Sequence, residues 1–246
     1  MDSRSIIIVL FISMCIAIFH GCGAKKAEIN PMANFANMDM EMKLPEDAVI
    51  RRDMTNQTIF LIQAEDLSKN LSENKNFKEL VSNNRHEDIA IAFIMAYRSL
   101  FKLRQPDKEL KLKTSSIDDL GNRHIKFGQI FQKIPARACE IIIHMNKKNR
   151  IYKAQGRYIP TPENMDVSPV IEQKQALENT ARTLESKTGC PECSVKLVIF
   201  APPSDPPRLA YEIHTAKGIT KRWVFMVDAT DGKILQKRSL IRTHKW

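Results

Sequence analysis

One arrangement of patterns occurs twice along this sequence: a helical pattern is followed by several strand patterns, and short turns separate the strands. In the first occurrence, apolar residues recur at three- and four-residue steps from Ile89 to Phe101. The strands after this helix are predicted at Leu110–Leu112, His124–Phe131, Glu140–Met145 and Ile151–Tyr158, and one more precedes it at Thr58–Ala64. Because short connections join antiparallel neighbours, this half is predicted to be a helix packed on an antiparallel sheet.

The second occurrence begins after Pro160-Thr161-Pro162, a segment that indicates a domain boundary. A helix is predicted at Val170–Ser186, and four strands follow at Ser194–Phe200, Arg208–His214, Thr220–Val227 and Lys233–Leu240. Asp231-Gly232 predicts a hairpin turn between the last two strands. The halves share the order of their elements but no residue-level repeat. The predicted fold class is α+β, with two small modules at residues 51–160 and 165–240.

The N-terminus carries the one long apolar run of the chain, Ile6–Phe19. As a helix this run would be about 21 Å long, which is shorter than the roughly 30 Å hydrocarbon core of a membrane. Residues 1–21 are therefore interpreted as a signal peptide. Gly21 and Cys22 follow the run, and this arrangement resembles the bacterial lipoprotein signal, in which the cysteine is lipidated. Cleavage nearby without lipidation is the alternative.

The stretch 22–50 is mostly polar and is interpreted as a lipidated tether. Gly23 stands where an Asp commonly retains lipoproteins at the inner membrane, which favours the outer membrane. The predicted location is the bacterial cell envelope, through a lipid anchor, or the exterior as a secreted protein. The formal net charge of +10 is compatible with acidic partners or anionic lipid head groups. A solvated basic surface is the preferred interpretation, because the basic residues are spread along the chain and mixed with acids. Nucleic acid is not an expected partner, because the basic residues are interspersed with acids and the chain is exported.

The cysteines indicate structure rather than chemistry. Cys190 and Cys193 form a Cys-x-x-Cys that follows a predicted helix and precedes a strand, the reverse of the thioredoxin-type order. No second pair of ligands stands at zinc spacing. In an oxidising envelope, a disulfide between these cysteines or two free thiols is expected. Cys139 lies in an apolar strand and is predicted to be a buried thiol. No cofactor and no metal site is predicted.

Other polar residues are interpreted as structural. His124 and His144 fall in predicted strands, and no carboxylate partner at catalytic spacing is evident for either of them. Asp119 and Gly121 indicate a turn. No Gly-x-Ser-x-Gly segment is present, so a serine hydrolase of that type has no support.

The stretch Asp119–Pro135 resembles the fungalysin/thermolysin propeptide (FTP) motif through Gly121, His124-Ile-Lys-Phe127, Gln129 and Phe131. Glu140–Met145 and Gly156-Arg157-Tyr158 resemble the continuation of that motif. The second half resembles a PepSY domain through Leu209-Ala210-Tyr211 and Trp223–Ile234. Together the resemblance covers about Thr58–Ser239. It implies that both modules are cystatin-like.

One segment departs from the FTP motif, which there runs Gly-Val-Pro-Val-x-Gly. Lys133 stands at the first Gly, Ala136 at the second Val and Ala138 at the last Gly, whereas Pro135 is kept. These replacements predict a stiffer loop. Lys133 and Pro135 are candidate partner-binding residues, because a fit to a protease surface would differ at this loop.

In thermolysin-like precursors, this pair of propeptide domains assists folding of the peptidase and blocks its cleft. The present sequence contains no His-Glu-x-x-His zinc motif. The resemblance therefore implies a binding protein and not an enzyme: a free-standing inhibitor or folding chaperone of a secreted thermolysin-like zinc metallopeptidase. In the tail 241–246, His244 would approach the metal of such a partner and Trp246 would fill a pocket. A frayed C-terminus is the alternative for the tail.

Two other hypotheses remain open. The first is an envelope lipoprotein whose modules bind peptide or another surface component, with no protease partner. The second is a precursor that has lost its catalytic domain. A peptidase gene encoded nearby would favour the inhibitor or chaperone, and its absence would favour the binding module.

Overall fold

The computed structural model describes residues 35, 43–185, 193–203, 205–217 and 221–240. All of them belong to one compact unit that begins at Pro31. None of the helices in these ranges is long and apolar enough to cross a membrane.

The first half contains a six-stranded antiparallel sheet. Its strands are β1 (Val49–Arg52), β2 (Ile59–Gln63), β3 (Leu110–Ile117), β4 (Arg123–Phe131), β5 (Ile134–Met145) and β6 (Ile151–Arg157). Their order in the sheet is β1-β2-β6-β5-β4-β3. The four strands β3 to β6 form a meander, as the alternation of apolar residues and turns predicts.

Helices of this half bury their apolar residues in the main core of the molecule. The helices are α1 (Lys75–Ser82), α2 (His86–Ala96), α3 (Arg98–Phe101) and α4 (Pro106–Glu109), and a 3₁₀ turn spans Lys69–Leu71. Helix α2 is apolar around most of its circumference, which explains why it is buried almost completely. Glu87 and Asp88 occupy its first turn, where negative charge is favourable. Pro106 begins α4, a position that proline favours because its missing N–H is not needed there.

The second half is a helix on a four-stranded antiparallel meander. Helix α5 (Gln173–Thr183) lies on β7 (Ser194–Phe200), β8 (Arg208–Lys217), β9 (Lys221–Asp228) and β10 (Ile234–Ser239). Ala176 of α5 shares a core with Phe225 and Val227. The turn before β10 has Gly232 at a φ of +76°, as the Asp-Gly hairpin signal predicts.

The two sheets meet at the start of β5. Ala136 pairs with Ile199 of β7 in the one parallel strand contact among the described residues. Arg137 donates from Nε to Oε1 of Glu212 in β8 over 2.7 Å, and both side chains are largely buried. Strand β5 is therefore an element of both sheets.

The predicted fold class is confirmed, since each half packs helix on antiparallel sheet. The domain limits 51–160 and 165–240 stay predictions. Strand β1 was not predicted, and it begins at Val49, within the stretch interpreted as a tether. Phe35 of the same stretch is fully buried, and its ring lies edge-on to that of Phe77 at 6.5 Å.

Candidate partner-binding site

The predicted candidate Lys133 lies at the tip of the β4–β5 hairpin. Phe131 pairs with Ile134, so Gln132 and Lys133 form a two-residue turn. Their φ angles are +47° and +71°, as in a type I′ turn, which normally prefers Asn-Gly. Lys133 is exposed at this tip. The chain thus presents a cation where the motif has a glycine.

Strand β5 bulges away from β4 directly after Pro135. Ile130 pairs with Pro135 and Gly128 pairs with Glu140, so the four residues 136–139 stand opposite Gln129 alone. Ala138 in this bulge has a φ of +56°. The bulge turns Ala136 and Arg137 towards the second sheet, where they make the contacts described above. Bulges commonly redirect a strand in this way.

Ala138→Gly and Lys133→Gly are each expected to raise the free energy of unfolding by about 1 kcal/mol, because a side chain at positive φ is strained whereas glycine is not. Chemical denaturation measures both changes. Ala136→Gly is the matched control, since Ala136 lies in the same strand without a positive φ, and it should lower stability. A loss of stability in Ala138→Gly similar to that of the control would contradict the expectation.

A groove lies beside the hairpin, between β4, α4 and the linker after β6. We call it the hairpin groove. Its volume is about 670 Å³, and its lining includes Arg104, Lys108, Ile130, Phe131, Lys133 and Thr161. Lys133 therefore lies in a concave site, whereas Pro135 is not part of the lining.

Hydrogen bonds fix the linker that forms one wall of this groove. The buried Gln129 side chain donates from Nε2 to the carbonyl of Ile159 and accepts the Ile159 N–H at Oε1, over 2.7 and 3.0 Å. Thr161 donates its N–H to the Lys102 carbonyl and its hydroxyl to Glu109. The sequence predicts a domain boundary at Pro160-Thr161-Pro162, and in the structure Thr161 ties this segment to the first half. The groove is thus preformed.

A second polar cluster lies across β4 and β5. His124 and His144 are cross-strand partners, and their Nδ1 atoms are 2.6 Å apart. Nε2 of His124 lies 3.0 Å from Oδ2 of Asp118. No carboxylate partner for His124 is evident in the sequence at catalytic spacing; in the structure Asp118 is its partner, six positions earlier and across the β3–β4 turn. Both contacts are satisfied with neutral rings if His124 donates to Asp118 and His144 donates to His124.

His144 is held in its neutral form. It is 8% exposed, and its Nε2 has no hydrogen-bond partner in the described part of the chain. Burial, together with the nearby Lys153 and His124, lowers the pKa of His144 to about 4. A proton on Nε2 would lack an acceptor, which agrees with this direction. The cluster contains no nucleophile, and the described residues include no group of three or more His, Cys, Asp or Glu placed to hold a metal ion.

The remaining candidates fall mostly outside the described residues. Cys22, Cys190, His244 and Trp246 lie there. Cys193 is disulfide-bonded, and its pairing with Cys190 stays a prediction. Cys139 is a free, buried thiol, as predicted, and burial raises its pKa to about 11.

Sequence reasoning missed two cations and the role of one amide. Arg104 and Lys108 flank Pro106 in a stretch with several other basic residues, and no local pattern marks these two as parts of a groove. Gln129 did carry a signal, because it is a residue of the FTP motif. Its task, which is to hold the backbone of Ile159, depends on a contact that the sequence does not display.

Comparison with protein families gives a match that falls on the meander β3 to β6. Residues 108–158 match the family described as Fungalysin/Thermolysin Propeptide Motif. Thermolysin of Alicyclobacillus acidocaldarius is 26% identical over 162 residues, which cover 61% of this chain and 29% of that protein. Bacillolysin of Bacillus subtilis strain 168 is 25% identical over 228 residues, which cover 88% of this chain and 41% of that protein. The chain resembles the propeptide region of these thermolysin-like proteases.

The chain spans well under half the length of the curated relatives it matches. Among solved structures, the C-terminal domain of Bacillus megaterium YpeB is similar over 86% of this chain and 95% of that domain. Its sequence identity is 12% and its TM-score is 0.36.

Proposed function

We propose that this protein binds a secreted thermolysin-like zinc metallopeptidase in the manner of a propeptide, and thereby inhibits the peptidase or assists its folding. The observation that carries the proposal is the match of residues 108–158 to the propeptide motif. That match coincides with β3 to β6, the meander that forms the hairpin and one side of the groove.

Binding alone accounts for both activities. A protein that binds the folded peptidase and not its unfolded chain stabilises the folded form by mass action. If it binds the folding transition state more tightly than the unfolded chain, it also accelerates folding by the logic that applies to catalysis. If it covers the active-site cleft, it inhibits. The proposed contacts are the exposed Lys133 and the nearby Pro135, together with His244 and Trp246 in the tail.

The proposed location follows from the N-terminal sequence. Residues 1–21 would direct export, and lipidation of Cys22 would anchor the protein in the cell envelope, with the outer membrane favoured. A partner that is secreted through the same envelope would meet this protein there.

The test is a titration of the purified protein against a thermolysin-like peptidase from the same organism, with hydrolysis of a peptide substrate as the readout. We expect saturable inhibition, or a higher yield of active peptidase when it is refolded with the protein. A serine protease of different fold is the control for unspecific effects, and the protein alone with added zinc is the blank.

Three results would contradict the proposal. If a molar excess of the protein neither inhibits the peptidase nor improves its refolding, the proposal is contradicted. The alternative hypothesis would then remain, an envelope module that binds peptide or another surface component. Equal inhibition of the serine protease would indicate an unspecific effect of a basic protein. Hydrolysis in the blank would show that the protein is itself an enzyme.

A further inference from the structure

We infer that the hairpin groove binds an acidic, extended peptide segment, in which carboxylates alternate with apolar side chains. This inference rests on the proposed function, because it names the chemistry of the partner segment that the groove receives.

The groove is positively charged. Arg104, Lys108 and Lys133 line it, and none of them forms an ion pair with a described residue. Glu109 is the acid in the lining, but it is 6% exposed and both of its oxygens are occupied. They accept the Gln105 N–H over 2.7 Å and the Thr161 hydroxyl over 2.5 Å. Its carboxylate therefore serves the wall of the groove. Arg104 donates from Nη2 to the carbonyl of Pro162, so its remaining guanidinium donors, together with Lys108 and Lys133, are available to an anion.

The positive surface continues past Arg104. A neighbouring depression of about 640 Å³ shares Arg104, Gln105 and Thr161 with the groove and adds the exposed Lys102. Lys102 donates to the carbonyl of Asn56 and has no carboxylate partner among the described residues. Arg98 and Glu163 also line this depression, so the depression and the groove each combine three cations with one carboxylate. A ligand with several carboxylates in a row fits this distribution.

The apolar part of the lining distinguishes between kinds of anion. Ile130 and Phe131 lie in the same groove as the cations, and both are partly exposed. An acidic peptide supplies carboxylates for the cations and apolar side chains for this surface. A nucleic-acid backbone supplies only the charge, and one partly exposed phenyl ring is a poor platform for successive bases. Peptide is therefore the favoured ligand.

The groove needs no rearrangement before it binds. Its wall at Thr161 is held by bonds to Lys102, Arg104 and Glu109, and Gln129 fixes the preceding Ile159. Its volume lies within the roughly 300–1,000 Å³ that is usual for ligand sites. Less conformational entropy is lost on binding to such a preformed site.

The test uses fluorescein-labelled, amidated Asp-Leu-Glu-Leu-Asp, and Asn-Leu-Gln-Leu-Asn as its neutral isostere, in fluorescence anisotropy titrations of the full chain. We expect the acidic peptide to bind at least tenfold more tightly. Lys108→Glu/Lys133→Glu should weaken binding about tenfold, which corresponds to about 1.4 kcal/mol. Lys174→Glu, an exposed reversal on α5 away from the groove, is the matched control and should bind as the parent protein does.

The assignment fails if the neutral peptide binds equally well or if the double variant behaves like Lys174→Glu. It also fails if an oligothymidylate binds more tightly than the acidic peptide through the same two lysines. Lys108→Gln/Lys133→Gln repeats the test without added acid, and circular dichroism verifies that each variant is folded. Inhibition of the peptidase that is unchanged in the double variant would overturn this groove as the contact and leave the proposed function intact. Tight peptide binding without any effect on the peptidase would contradict the proposed function and leave the assignment of the groove intact.

Discussion

Gly156→Ala is expected to lower the free energy of unfolding by at least about 3 kcal/mol or to prevent folding. A Cβ at this position of β6 would lie 2.1 Å from the carbonyl oxygen of Glu140 and 2.9 Å from Cα of Ile141. Both atoms are backbone of the central strand β5, so neither can move without disrupting the ladder. The small gain from replacing a strand glycine by alanine does not offset such a clash. The glycine therefore allows β6 to lie close against β5.

Gly128→Ala is the matched control for this effect. Gly128 lies in the neighbouring strand β4, and a Cβ there would meet only the far end of the Lys113 side chain, at 2.3 Å. That side chain is flexible and can rotate away, so the cost should be below about 1 kcal/mol. Urea denaturation, with circular dichroism as the signal, measures both variants. Similar midpoints for the two alanine variants would show that the close approach at Gly156 is not the cause.

Stability is expected to fall by about 1–2 kcal/mol between pH 8 and pH 5 because of His144. Burial and the neighbouring Lys153 and His124 lower the pKa of His144 from 6.5 to about 4. The unfolded chain therefore takes up a proton on this ring as the pH falls through 6.5, whereas the folded protein stays neutral until about pH 4. The contribution is complete above pH 6.5 and is lost progressively below it. The groups that face the ring are His124, Asp118, Lys153 and Tyr152.

His144→Gln removes this titration while keeping a side chain that can bond to His124. Its unfolding free energy should depend less on pH between 8 and 5, whatever its absolute stability. His214→Gln is the control, because His214 is half-exposed on the second sheet. Denaturant titrations at several pH values give the slope of the unfolding free energy against pH for each protein. A slope in His144→Gln equal to that of the parent protein would assign the pH dependence to other groups.

Local patterns were sufficient for most of the fold. The strand predicted at Ser194–Phe200 has the bounds of β7, and turn residues predicted the β9–β10 hairpin. Strand β1 was missed because Val-Ile-Arg-Arg is short and half charged. The first part of β5 was missed because Pro135 interrupts the strand pattern in the sequence. The bulge at Ala138, which has a positive φ, is not visible in that pattern.

Contacts between distant segments could not be predicted in this way. The pairing of Ala136 with Ile199 joins strands from the two halves, and neither sequence marks the other as its partner. The hairpin groove combines α4, the hairpin and the linker, so its cations are scattered along the chain. His124 and His144 become neighbours only once the register of β4 and β5 is known. Two of the motif's glycine positions, now Lys133 and Ala138, proved to be positions of positive φ.

The fastening of Ile159–Pro162 also affects which peptide bonds a protease can cut. Proteolysis requires a stretch of chain that can leave the surface and extend into a cleft, so exposed loops without hydrogen bonds are cut first. Here the joint between the two halves is held by Gln129 and Glu109 and contains two prolines. While the first sheet is folded, the joint is a poor substrate. The junction between the two halves is therefore protected from proteases by the folded first sheet.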